Sequence, residues 1–398
     1  MKITHCRYCG AKLREILSLG NIPLVNYFPK SNEIAREKKY PLNFVVCVSC
    51  GLAQIDYIVP PDEIFLQYHY TTGASIPLVD QLKILADSSM KRFHLTRKLH
   101  VLDIGSNDGT LLSFFAERGV GVVGVEPSHA LSRTAKQRGV LTVNSFFSRK
   151  IARKILQRWG QFDCVFTTHV LANIVDLKDF LHGLSDVLAP QGTAIIEVGY
   201  LGSRLENGEF DAIYHEHYSY FSLTSISRIL GDQGLSIIDA ERCSAQGGAI
   251  RVYVQHSAVV EHPFIIQEHI TNTDYENFSL KAQTFREEFR HLLGEYKGKT
   301  IVGFGAPAKA VTLLSYCNIT KNDIAYIVDS TPVKQGRVLP GIHIPIEKPS
   351  VLGKQKPDVV VVFAWNYRDA IIQQLASVVS KGTPVIIPFP RLQVVTIV

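Results

Sequence analysis

The sequence predicts an α/β protein in which a doubly wound, mainly parallel sheet is preceded by a small zinc-binding domain and followed by a second, Rossmann-like α/β domain. Three observations predict it. Val101-Leu-Asp-Ile104 is an apolar run of strand length that breaks into Gly105-Ser-Asn-Asp-Gly109, resumes at helical spacing and returns as a run over 122–125 that ends on Glu126. Thr300-Ile-Val-Gly303-Phe-Gly305-Ala-Pro-Ala308-Lys309 starts the same pattern later in the chain, and 324–328 with Asp329 closes it. Four of the seven cysteines fall in two C-x-x-C-G pairs, Cys6/Cys9 and Cys47/Cys50. The expected boundaries are 1–60 for the zinc-binding domain, 61–260 for the sheet domain with 61–97 as a helical lid, 261–298 for a bridging helix and 299–398 for the C-terminal domain.

Two C-x-x-C knuckles, each followed by glycine, wrap four thiolates around one zinc ion. A closed four-sulfur site leaves no position for substrate, so the metal is expected to be structural. The segment between the knuckles carries few clustered cations and reads as a packing module, with strands at 44–46 and 52–57 before Pro60-Pro61. Cys164, Cys243 and Cys317 read as buried small apolar residues. From Asp62 the pattern is helical through Ile64, Phe65, Tyr68 and Tyr70. The turn at 71–75, ending on Ser75, then feeds a helix with Leu78, Leu82 and Leu85 on one face. A segment in this place commonly closes over a ligand.

Ligands of parallel sheets sit beyond the carboxyl ends of the strands. Gly105 and Gly109 let the backbone approach one, and Glu126 is placed to accept both hydroxyls of a ribose. The turn reads D-x-G-x-x-D-G rather than G-x-G-x-x-G, and Asp103 and Asp108 would repel a pyrophosphate. Acidic groups suit a ligand that carries an ammonium and a sulfonium, which is S-adenosylmethionine. Asn107, Pro127 and Ser75 complete the expected cofactor set, together with Asn144, Ser145, Phe146 and Phe147 after the third strand and His169 after the fourth. The pattern resembles motif I and the acidic second-strand end of class I S-adenosylmethionine-dependent methyltransferases. The helix at 176–188 and a fifth strand at 193–198 complete the doubly wound order by about residue 200.

Phe210-Asp-Ala-Ile-Tyr214-His-Glu216-His217-Tyr-Ser-Tyr-Phe221 then breaks the pattern with more hydrogen-bonding groups than a packing segment uses. Two histidines of an H-E-H run with no third ligand make a weak metal site. A histidine beside a carboxylate and phenols suits proton removal from a carbon acid and hydrogen bonding to an enolate. Strands at 235–240 and 250–254 follow, where Arg251 is either a surface strand residue or a substrate contact. Phe278, Leu280, Phe285, Phe289, Leu292, Leu293 and Tyr296 recur at helical spacing and predict the bridging helix. In the C-terminal domain the G-x-G-x-x-A turn leaves NAD binding open, while Lys309, one turn into the helix, favours a phosphate-bearing ligand. Trp365 and Asn366 follow the strand at 358–364.

The net charge of +6 arises from 42 basic and 36 acidic residues without a cationic block, which gives little support to nucleic-acid binding. No apolar run approaches the roughly 20 residues of a membrane span, and the first residues lack the apolar core of a signal peptide, so a cytoplasmic location is expected.

The paired knuckles, DIGSNDG, Tyr214-His-Glu-His217-Tyr-Ser-Tyr-Phe, GAPAK at 305–309, and Val328-Asp329 with Lys334-Gln-Gly336 together resemble the nucleotide-sugar C-methyltransferases that act on 4-keto deoxyhexoses. The resemblance covers nearly the whole chain. It implies a nucleoside-diphosphate 4-keto sugar as substrate, methylated at C3'; a monomer is expected. It also implies His217 as the base, with Tyr214, Glu216 and a lid tyrosine at Tyr68 or Tyr70 nearby. The C-terminal site would draw on Gly305, Ala306, Pro307, Lys309, Asp329, Lys334, Trp365 and Asn366, with Arg251 beside it. One departure is Asn173, where the family commonly has a histidine. Two other readings are an RNA methyltransferase with a zinc recognition module and a sugar-nucleotide-binding protein without activity.

Overall fold

The computed structural model describes residues 1–66, 71–74, 76–94, 96, 98–243, 248–256, 266 and 268–397. Three sheets organise them. The N-terminal sheet is built from β1 (Leu13–Pro23), β2 (Lys39–Cys47) and β3 (Ala53–Ile55). The central strands are β4 (His100–Ile104), β5 (Gly121–Val125), β6 (Leu141–Val143), β7 (Phe162–Thr168) and β8 (Leu188–Gly199). After β9 (Ser219–Tyr220) come β10 (Leu235–Cys243) and β11 (Ala249–His256). The C-terminal strands are β12 (Ile301–Phe304), β13 (Tyr326–Val328), β14 (Ile346–Glu347), β15 (Val359–Val362), β16 (Pro384–Ile387) and β17 (Gln393–Thr396).

The central sheet has the order β10-β11-β8-β7-β4-β5-β6. Its five strands β4 to β8 pair in parallel, while β11 runs antiparallel to β8 and to β10. The order is therefore not complete by residue 200, because two strands from 235–256 extend it. The fifth strand also starts five residues before the expected Thr193. Pro190-Gln191-Gly192 does not end it but is absorbed as a bulge, where the pairing jumps from Phe162/Leu188 to Cys164/Thr193. The apolar runs of the parallel strands are buried on both faces, as such sheets require: Val101, Leu102 and Val165 are fully buried.

The C-terminal sheet, β14-β13-β12-β15-β16-β17, is parallel except for β17. The N-terminal sheet has the order β1-β2-β3-β9, so a strand from 219–220 closes its edge. The bridging helix spans Asn272–Glu295 and buries Phe278, Phe285, Phe289 and Leu293. Leu280, expected in the same stripe, is 61% exposed, since it lies on the opposite side from the 278/282/285/289 row. Among the described residues no helix is long and apolar enough to cross a membrane.

Candidate active site

The four Sγ atoms of Cys6, Cys9, Cys47 and Cys50 lie within 4.8 Å of one another. The Cys6–Cys50 and Cys9–Cys47 separations are 3.7 and 3.4 Å, close to the edge of about 3.8 Å that four Zn–S bonds of about 2.3 Å give a tetrahedron. Positive φ at Gly10 and Gly51 turns each knuckle, and the amides of Ser49 and Cys50 point at Cys47 Sγ. These residues fit a structural zinc ion. Among the described residues this is the one group of His, Cys, Asp or Glu with such geometry.

The carboxyl end of β4 opens into a cavity of about 570 Å³. Gly105 makes the turn there with φ of +79°, and a Cβ would meet Val170 at 2.3 Å. Its amide donates to Val125 O, which brings Glu126 beside the turn. Glu126 accepts from the amides of Asn107 (3.0 Å) and Ser128 (2.8 Å). Burial nevertheless pushes its carboxyl up to about 7. Burial, and then Glu126, push Asp103 up to about 8. Asp103 Oδ1 is buried without a hydrogen-bond partner. A buried carboxylate pair facing a cavity is what the ribose hydroxyls and the ammonium of S-adenosylmethionine satisfy, so the residues fit the cofactor.

Asp103, Gly105, Asn107, Glu126, Pro127, Phe146, Phe147 and His169 all line this cavity. Gly109 does not. It turns the chain into the next helix with φ of +79°, and a Cβ there would press on Ala135 and Val140. Asn144 and Ser145 also lie outside the lining. The Asn144 amide donates to the carbonyls of Glu126 and Pro127, fixing the turn that carries the acid, and the Ser145 hydroxyl donates to Phe146 O. Tyr68, Tyr70 and Ser75 lie outside the described residues. The neighbouring turn does fold onto the glycine loop: Thr72 N donates to Asn107 Oδ1 and Gly73 N to Asp108 Oδ2, both at 3.0 Å. No side chain fits at Gly73, where a Cβ would sit 2.6 Å from that carboxylate.

Tyr214, Glu216 and His217 line the same cavity from another side. Their loop is held from both ends of the molecule. Asn26 donates to both oxygens of Glu216 at 2.8 Å, Tyr218 donates to Val59 O, and Thr312 donates to Ile213 O. His215 points away, with Nε2 donating to Pro41 O at 3.0 Å. The His217 Nδ1 lies 3.3 Å from Ala212 O, which only accepts, so Nδ1 carries the proton and Nε2 keeps its lone pair. Burial, reinforced by Arg204, holds the imidazole well below its ordinary pKa, and the ring is neutral at pH 7. Its centroid is 4.1 Å from that of Tyr214. Burial, and then Glu216, raise the Tyr214 phenol well above its usual range, so it remains a donor.

The C-terminal domain closes the cavity with Pro307, Lys309, Lys334, Trp365 and Asn366. Lys309 Nζ lies 4.0 Å from Glu209 and 4.0 Å from the centre of the Trp365 ring, while Trp365 Nε1 donates to Asp211 at 2.8 Å. The charges of both Asp211 and Glu209 act on this amine. Gly305, Ala306 and Asp329 sit behind the wall. Asp329 accepts from the amides of Ala306 and Thr331 and faces Lys334, closing its own turn. Arg251 is not at the cavity either. It is paired on the sheet with Glu197 (2.6 Å) and Glu241 (2.8 Å), and Glu197 lies 3.0 Å from His169 Nε2. Burial works against the Glu197 charge, but His169 and Arg251 together hold its pKa at about 2. Asn173 lines the cavity with its amide donating weakly to His169 O at 3.5 Å and its Oδ1 buried. Asn26, Gly73 and Arg7 escape a reading of the sequence, because their partners lie far away in the chain.

Three family profiles match the chain: a zinc binding domain over 6–65, a methyltransferase domain over 81–240, and a C-methyltransferase C-terminal domain over 244–390. The C-methyltransferase NovU of Streptomyces niveus is 32% identical over 409 residues, covering 99% of this chain and 97% of that protein. The ubiquinone biosynthesis O-methyltransferase of Rhodopseudomonas palustris is 25% identical over 31% of this chain and 54% of its own length. Among solved structures, the PH0226 protein of Pyrococcus horikoshii aligns with 49% of this chain and 97% of its own at 17% identity and a TM-score of 0.39. Magnesium protoporphyrin IX methyltransferase from Synechocystis, solved with bound S-adenosylmethionine, aligns with 44% of this chain and 79% of its own at 18% identity and a TM-score of 0.34. A full-length relative, three consecutive domain matches and a cavity fitted to the cofactor lead to one conclusion: the chain belongs to the S-adenosylmethionine-dependent C-methyltransferases with an N-terminal zinc domain, the family its motifs resemble.

Proposed function

We propose that the chain methylates C3' of a nucleotide-linked 4-keto deoxyhexose. The observation that carries this reading is one cavity lined by the Gly105 turn, by a neutral His217 and by the Lys309–Trp365 wall of the C-terminal domain. A carbon next to a ketone is acidic enough for an imidazole to deprotonate if the enolate is hydrogen-bonded as it forms. His217 Nε2 takes the C3' proton, and the electron pair moves to the C4' oxygen. The Tyr214 phenol is suited to donate to that oxygen, while Glu216, fixed by Asn26, keeps the loop in place. S-adenosylmethionine supplies an electrophilic methyl group for the carbon. The nucleotide would lie toward Trp365 and Asn366, with Lys334 and Lys309 near its phosphates.

His217→Ala is expected to lower methyl transfer and solvent exchange of the C3' hydrogen together, by about 10³-fold, the scale of general-base catalysis. Calorimetric S-adenosylmethionine affinity should persist. Retained exchange in this variant removes His217 as the base. Because the imidazole is held well below its ordinary pKa, the acid limb of kcat should lie below pH 6.5. A limb at or above that value contradicts the assignment.

A further inference from the structure

Arg7 sits inside the first cysteine knuckle, between Cys6 and Cys9, yet its guanidinium reaches the walls of the active cavity. Nη1 donates to Ile174 O (3.0 Å) and Val175 O (2.6 Å), and Nη2 donates to Tyr218 O (2.7 Å) and Ser219 Oγ (2.5 Å). Ile174 and Val175 line the cavity next to Asn173, and Tyr218 directly follows His217. The Arg7 amide donates to Gln54 Oε1 (3.2 Å), and the other end of the same Gln54 amide donates to Cys6 Sγ (3.2 Å). Neither Arg7 nor any of the four cysteines touches the cavity.

We infer that Arg7 is a positioning residue that transmits the geometry of the cysteine site to the methyl-transfer loop. A rigid planar fork is needed to span two loops at once; a lysine ammonium could reach only one of them. Ile174 and Val175 follow the short turn at 171–173 outside any strand, so their carbonyls lean on this donor, while Tyr218 O, which also accepts from the Ile55 amide at 3.3 Å, ties the same guanidinium to the start of β9. Four thiolates held by zinc fix the direction of the knuckle and hence of Arg7. The inference rests on the proposed role of His217 only for its effect on rate.

The test uses the full chain as wild type, Arg7→Ala, Arg7→Lys and metal-stripped wild type. Zinc content, S-adenosylmethionine affinity, kcat and KM with a 4-keto nucleotide sugar, and amide hydrogen exchange are measured on each. In zinc-loaded Arg7→Ala, kcat should fall about 10²-fold, the usual cost of a misplacement near 1 Å. Cofactor affinity should stay within about twofold, and exchange should quicken in 171–176 and 213–220 but not in 100–143. Arg7→Lys should recover part of kcat, and stripping the metal should quicken the same two segments. A zinc-loaded, folded Arg7→Ala with wild-type kcat and wild-type exchange overturns the inference. If that variant does not fold, Ser219→Ala, which removes one acceptor, takes its place; unchanged kcat and exchange in both Ser219→Ala and Arg7→Lys then overturn it. Faster exchange in the two segments alongside retained C3' exchange in His217→Ala would remove the base assignment and leave the coupling standing.

Discussion

The two glycine turns of this chain are built alike and used differently. Gly105 and Gly305 both follow a central parallel strand, with φ of +79° and +83°. Each donates its amide to the end of the neighbouring strand, Val125 O at 2.8 Å and Val328 O at 2.7 Å, and an acid follows each of those strands. There the likeness stops. Glu126 faces the cavity and is pushed up to about 7, mainly by burial. Asp329 is buried too, but Lys334 and the amides of Ala306 and Thr331 overcome that burial and hold it below its ordinary value. Both acids clasp two amides of their own turns, but Glu126 also faces the cavity, whereas Asp329 lies behind its wall and is paired with Lys334. A fingerprint that reads only glycines and an acid therefore cannot tell a ribose acceptor from a structural clasp.

The contrast is most sharply broken at the glycines. Gly105→Ala must displace Val170 and adopt a strained φ, and should abolish measurable S-adenosylmethionine binding in calorimetry. Gly305→Ala, pressing on Ala364, should leave that affinity intact and weaken the nucleotide sugar. The acids give the next effect. Glu126→Gln should weaken S-adenosylmethionine about 10- to 100-fold, the scale of hydrogen bonds to a charged acceptor, whereas Asp329→Asn should not change it.

Stability should move in opposite directions. A carboxyl raised from 4.5 to about 7 binds more protons folded than unfolded. Its contribution to stability is present below pH 4.5 and is lost as pH rises through about 7, by about 3 kcal/mol. Glu126→Gln should thus raise the melting temperature at pH 8. Asp329 has the reverse sign: its stabilisation is present above the unfolded value of 3.8 and is lost as pH falls through its lower folded value. Asp329→Asn should therefore cost about 2 kcal/mol at pH 7. Equal shifts in both variants would erase the distinction. The smallest effect is expected from Asn144→Ala, which frees the Glu126–Pro127 turn and should weaken the cofactor by no more than about fivefold, on the order of one hydrogen bond.

Much of the fold was legible because its signals are local. Apolar runs bounded by glycine located β4, β5, β7 and β12, and the cysteine spacing located the metal site. β1 was missed: its buried Leu17, Leu19 and Ile22 are separated by exposed Ser18, Gly20 and Asn21, and two irregularities interrupt its pairing with β2. The two last central strands were recognised, but membership of the sheet depends on crossovers that no local pattern records. At the site, the sequence singled out the 210–221 loop, and the family resemblance pointed to His217, which lines the cavity while His215 does not. It did not foresee that Arg251 answers to Glu197, 54 positions earlier, or that Asn144 serves a backbone turn. Arg7 was hidden for the same reason, since its acceptors lie at least 167 positions away and three of the four are main-chain carbonyls.

The pairing of β9 with β3 has a practical consequence for anyone recombining these enzymes. Residues 219–220 are the edge strand of the front module, so cutting the gene at residue 60 would strip that strand of its neighbour and deprive Glu216 of Asn26. Chimaeras that exchange the first module should therefore carry 210–221 with it, and grafts made without that segment are expected to yield protein that folds around its cofactor but turns over poorly.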